Sequence, residues 1–148
     1  MPTTEPTVAR LRRRFDAPPE RVFDAWTNPE VMRRWFAAGE DWDTPVAEVD
    51  LQPGGRFRVS MRNPATGDVY SAGGAYTVVD RPDRLAFTWT WESEPAGETT
   101  VTVEFNADGD GTELVLTHTG LAGEADRDSH TEGWTGCLDN LGRRVLKA

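Results

Sequence analysis

The spacing of apolar and polar positions along this chain changes period three times, and each change marks a change of secondary structure. Residues 8–15 are expected to form a first strand. Asp16-Ala17-Pro18-Pro19-Glu20 then opens a helix, because proline suits a first helical turn where its missing N–H is not needed. Val22, Phe23 and Trp26 fall on one face of that helix, and Asn28-Pro29-Glu30 repeats the start signal with an asparagine cap for a second short helix carrying Met32, Trp35 and Phe36. From Val46 the period is two. Phe57, Val59 and Met61 alternate with Arg56, Arg58, Ser60 and Arg62, and Tyr70, Ala72, Gly74, Tyr76 and Val78 share one face of a long strand. Leu85, Phe87, Trp89 and Trp91 repeat the pattern, as do Val101, Val103 and Phe105, and then Leu114, Leu116 and His118. Residues 63–68 and 80–83 are turns, and residues 106–111 are expected as a six-residue hairpin loop. Short turns between consecutive strands give an antiparallel meander.

The last segment returns to helical spacing: Trp134, Cys137, Leu138, Leu141 and Val145 form one stripe. Asp126 and Asp128 suit its N-terminal end, and Arg143, Arg144 and Lys147 its C-terminal end, as the helix dipole favours. A sheet with one apolar face and a single striped helix bury those surfaces against each other. The expected class is α+β: a curved antiparallel sheet of about six to seven strands around a long C-terminal helix, with two short helices after the first strand.

Composition narrows the function classes. A chain of 148 residues is the size of one domain, here residues 8–148 behind a Thr/Pro-rich tail, residues 1–7, expected to be disordered. Its formal charge of -9 argues against nucleic acid and anionic membranes as partners. The basic run Arg10-Leu11-Arg12-Arg13-Arg14 reads as an edge strand with a solvated face rather than as a phosphate site. The N-terminal residues lack the charge and apolar stretch of a signal peptide, and no apolar run is long enough to span a membrane, so a cytoplasmic location is expected. A lone cysteine, Cys137, excludes an internal disulfide and reads as buried and structural. No metal-ligand spacing occurs, and neither metal nor cofactor is expected.

Several segments together resemble the START/birch-pollen-allergen (SRPBCC) superfamily, whose fold is the helix-grip. They are Phe15-Asp16-Ala17-Pro18-Pro19-Glu20-Arg21-Val22-Phe23-Asp24-Ala25-Trp26-Thr27-Asn28-Pro29-Glu30, Trp35, Gly54-Gly55-Arg56-Phe57, Arg84-Leu85-Ala86-Phe87-Thr88-Trp89, Gly111-Thr112-Glu113-Leu114-Val115-Leu116-Thr117-His118 and Gly133-Trp134. Within it the chain is similar to the bacterial group akin to the C-terminal domain of the heat-shock-protein-90 ATPase activator. Members of the superfamily range from lipid carriers to aromatase/cyclases and co-chaperones, so the resemblance implies a fold more than an activity.

Candidate chemistry centres on the aromatic residues. Trp89, Trp91 and Trp134 project toward the same space between sheet and helix, and Gly73, Gly74, Gly133, Gly136 and Gly142 withhold side chains there. Close packing and a cavity explain those glycines equally well. The residues expected to bound a cavity are Phe57, Met61, Tyr70, Trp89, Trp91, Val103, His118, Trp134 and Leu138, with a small hydrophobic or aromatic molecule as ligand. Two alternatives use the same fold: a cyclase/dehydrase-like enzyme in which His118 or Tyr70 moves a proton, and a co-chaperone-like module with a protein partner. A homodimer is also compatible. No catalytic residue is assigned, His130 is expected to be solvated, and Asp41, Asp43, Glu48 and Asp50 read as surface charge.

Overall fold

The computed structural model describes residues 7–94 and 97–146. Strand β1 (Thr7–Phe15) leads into α1 (Pro19–Thr27) and α2 (Pro29–Trp35). There follow β2 (Asp43–Val49), β3 (Arg56–Arg62), β4 (Val69–Asp80), β5 (Arg84–Trp91), β6 (Thr99–Asp108) and β7 (Gly111–Leu121). Helix α3 (Glu124–Leu141) ends in a π-helical turn, Gly142–Leu146. The strands form one seven-stranded sheet in the order β1-β7-β6-β5-β4-β3-β2, every pair antiparallel. β2 through β7 are neighbours in sequence order, whereas β1 pairs with β7, so α1 and α2 carry the chain from one sheet edge to the other.

Local signals account for the helix starts. Asn28 closes α1 and caps α2, its side-chain oxygen accepting the Glu30 N–H at 3.0 Å. The basic run lies on edge strand β1, where Arg12 pairs with Glu113 at 3.3 Å, Arg13 with Asp139 at 2.7 Å and Arg14 with Asp108 at 3.1 Å. Three of its four arginines are thus answered by carboxylates of the chain itself.

Three sequence expectations are corrected. Asp108 pairs with Gly111, so the β6–β7 hairpin turns on Gly109 and Asp110 alone; Gly109 takes φ +60, and two residues suffice once the first accepts positive φ. The register shifts between Tyr76 and Val78, which turns Val79 rather than Val78 toward the core. Thr7 belongs to β1, while residues 1–6 of the expected tail and Lys147 lie outside the described residues.

The core is continuous from α1 across the sheet to the second half of α3. Phe15, Val22, Phe23, Phe105, Leu114, Leu116, Leu138 and Leu141 are fully buried, with Phe23 edge-on to Phe105 at 5.3 Å. Helix α3 comes unusually close to the segment after α2. A Cβ on Gly136 would lie 1.8 Å from the Ala38 carbonyl oxygen, so only glycine fits. Asn140 pins the same segment, its Nδ2 donating to the carbonyls of Ala37 at 2.9 Å and Gly39 at 3.0 Å. That clamp holds Phe36, Ala38 and Trp42 over one end of the interior.

Candidate ligand-binding site

The inward face of α3 changes composition along its length. From Trp134 onward it presents Trp134, Cys137, Leu138 and Leu141, all buried. Over residues 124–133 none is buried, and Asp126, Ser129, His130 and Gly133 line a cavity of about 400 Å³. Their spacing of i, i+3, i+4, i+7 sets them on one helix face. Met61 of β3, Tyr70 of β4 and Trp89 and Trp91 of β5 form the opposite wall, Phe36, Ala38 and Trp42 cover it, and Ser93 and Glu94 follow β5 at its edge. Buried Phe36, Met61, Trp89, Trp134 and Cys137 make the floor, and exposed Tyr70, Ser93, Glu94 and Ser129 the mouth.

The aromatic rings of the lining pack in mixed geometries. Trp89 meets Trp91 at 5.2 Å and 89° and Trp134 at 5.2 Å and 56°, while Trp42 stacks on Tyr70 at 5.7 Å and 12°. Two imidazoles fix two of the indoles. The Trp134 Nε1–H donates to His118 Nδ1 at 3.1 Å, and the Trp91 Nε1–H donates to His130 Nε2 at 3.1 Å.

The remaining contacts of each ring settle its tautomer. The Thr99 hydroxyl donates to the Trp89 carbonyl at 3.0 Å, so it accepts from His118 Nε2–H at 2.6 Å. His130 Nδ1–H donates to the Asp126 carbonyl at 2.8 Å, with the Asp126 carboxylate 3.2 Å away. Both rings are thus acceptors toward a tryptophan, and their centroids lie 4.8 Å apart. Burial, reinforced by neighbouring His130, pushes His118 down to about 3. With both nitrogens engaged, His118 positions Trp134 and has none left for acid–base chemistry. Burial pushes the Cys137 thiol up to about 12, so it stays protonated and is no nucleophile.

The family model described as "Activator of Hsp90 ATPase homolog 1-like protein" matches residues 16–145. The chain belongs to that family. No curated protein matches it in sequence. Among solved structures, an AHSA1 protein from Silicibacter pomeroyi is 27% identical with a TM-score of 0.82, covering 93% of this chain and 96% of that one. A protein from Chromobacterium violaceum is 24% identical with a TM-score of 0.85, covering 97% and 99%. An HSP90 activator from Plasmodium falciparum is 24% identical with a TM-score of 0.72, covering 92% and 94%. The last two likenesses speak for the fold alone.

On this Hsp90-activator-homologue fold, five of the residues proposed from sequence meet at the cavity: Met61, Tyr70, Trp89, Trp91 and Trp134. Phe57 instead packs in an aromatic cluster with Phe87 at 5.0 Å and Tyr76 at 5.4 Å, and Val103 and Leu138 are fully buried in the core. His118 lies one layer behind the wall. His130, expected to be solvated, is corrected: it is half-buried and holds Trp91. A count of large apolar residues alone starts the helix stripe at Trp134. The same spacing runs back through Gly133, His130, Ser129 and Asp126, and following it would have found this wall. Trp42 and Phe36 carry no such signal, since a clamp formed by Gly136 and Asn140, distant in sequence, brings them there. Among the described residues no group of three or more His, Cys, Asp or Glu could hold a metal ion, and no helix is long and apolar enough to cross a membrane.

Proposed function

We propose that this protein binds a small, largely apolar or aromatic molecule in the chamber between β3–β5 and the first half of α3. The observation that carries this reading is the cavity itself: about 400 Å³ with a floor of buried aromatic and apolar side chains. Ligand pockets characteristically enclose roughly 300–1,000 Å³ with a few polar groups among apolar walls. Two walls are also fixed in advance, since His118 and His130 hold the Trp134 and Trp91 indoles by their N–H groups, which lowers the ordering cost of binding.

The test is a panel of small apolar and aromatic compounds, read by tryptophan emission and melting temperature. A ligand in the chamber quenches emission and raises the melting temperature by mass action, and Trp89→Phe or Gly133→Leu weakens it. If no compound in a broad panel moves either signal, the reading fails.

The family supports a second reading. The family is described as homologous to an activator of the Hsp90 ATPase, and a chaperone-directed role needs a surface rather than a chamber. Stimulation of a chaperone ATPase by this protein, unchanged by Gly133→Leu, would favour that role.

A further inference from the structure

The lining of the chamber carries more than apolarity. No arginine or lysine is among its residues, while two carboxylates, Glu94 and Asp126, stand at its edge. Asp126 accepts the Ala122 N–H at 3.1 Å through one oxygen and lies 3.2 Å from His130 through the other. His130 uses Nδ1 on the Asp126 carbonyl and Nε2 on the Trp91 N–H, so neither ring nitrogen is left to face a ligand. The Glu94 carboxylate is exposed at the mouth.

The walls point the same way. Indole and phenol faces are electron-rich and attract cations, most strongly where water is excluded. Trp89, Trp91 and Trp134 meet at steep angles, and the stacked Trp42–Tyr70 pair adds a further aromatic surface at the rim. A chain of formal charge -9 adds long-range attraction for cations and repulsion of anions. A carboxylate or phosphate ligand would meet like charge at the mouth and find no arginine or lysine inside.

Resting on the binding reading above, we infer that the chamber selects hydrophobic organic cations, such as aryl-alkyl amines and quaternary ammoniums, over neutral or anionic molecules of the same shape. The apolar body lies on the floor beside Trp89 and Trp134, and the ammonium sits among the Trp91 and Trp42–Tyr70 rings with Glu94 and Asp126 beyond it.

A matched trio tests this by quenching of tryptophan emission: 4-phenylbutylamine, 4-phenylbutan-1-ol and 4-phenylbutyrate. The amine is expected to bind on the order of tenfold tighter than the alcohol and the carboxylate more weakly than either. Raising salt should narrow the amine's lead by screening the exposed carboxylates. Glu94→Gln, a surface change that leaves the core intact, should narrow it several-fold, and a phenylbutyl-trimethylammonium probe should keep the preference without any N–H to donate. If the alcohol binds as tightly as the amine, or the carboxylate binds tightest, cation selection is overturned while the chamber stands as a ligand site. If none of the probes binds, the chamber reading falls and this inference falls with it.

Discussion

The two halves of α3 meet the same sheet with the same helical spacing. Residues 124–133 present Asp126, Ser129, His130 and Gly133 and border open space; from Trp134 the helix presents Trp134 and Cys137, which close the floor of that space, and then Leu138 and Leu141, which are packed in the core. Backbone geometry does not separate the halves. Side-chain volume does: aliphatic chains interdigitate to crystal-like density, while a glycine, a serine and a carboxylate that must stay near water cannot fill the gap beneath them. Two glycines three residues apart make the contrast sharp. At Gly136 the Ala38 backbone fills the place of a Cβ, and at Gly133 the nearest atom is the Ala38 Cβ at 3.9 Å.

The largest expected effect falls where the halves join. Trp134, 4% exposed, touches Trp26, Phe36 and Trp89 and donates to His118. Trp134→Ala should cost about 3–5 kcal/mol in urea unfolding, toward the low end because one side faces the cavity. A loss below about 1 kcal/mol would mean that this junction is not packed as described.

Acid should come next, through the imidazole behind that tryptophan. His118 is held down to about 3, with Thr99, Trp134, His130 and Asp126 around it. Below its ordinary value of 6.5 the unfolded chain takes up a proton that the folded chain refuses. The contribution is therefore complete above about 6.5 and is lost as pH falls toward 3. It amounts to roughly 2 kcal/mol between pH 6.5 and pH 5 at about 1.4 kcal/mol per unit. His118→Gln should flatten that part of the pH–stability profile; an unchanged slope would remove His118 from the explanation.

Smaller and opposite effects should come from the two glycines. Gly136→Ala should destabilise by about 1–2 kcal/mol, the clash with the Ala38 carbonyl exceeding the gain in helix propensity. Gly133→Ala should stabilise by roughly 0.5–1 kcal/mol, because propensity improves and nothing is displaced. Calorimetric melting of both variants checks the pair, and equal signs would break the comparison between the two halves.

Much of this architecture was legible in the sequence because it rests on local rules. The alternation of Phe57, Val59 and Met61, the proline-started helices and the stripe from Trp134 to Val145 each say which face is buried, and the antiparallel sheet follows. Tryptophans on inward faces of β5 and α3 also revealed the floor of the chamber. The register shift after Tyr76 was hidden, since one extra residue in a strand leaves no compositional mark. The fate of the histidines was hidden too: that His118 would accept from Trp134, and His130 from Trp91, depends on pairings across 16 and 39 residues.

The sequence by itself determined the elements, their buried faces and an acidic chain rich in inward tryptophans, because period, capping and charge act over a few residues. Only the tertiary structure decided that the interior is filled at one end and open at the other. Phe36, Trp42, Tyr70, Trp89 and His130 come from separate elements, and a cavity is the space left when distant backbones such as those of Gly136 and Ala38 settle against each other. No single segment encodes that space, since it depends on all of their volumes at once.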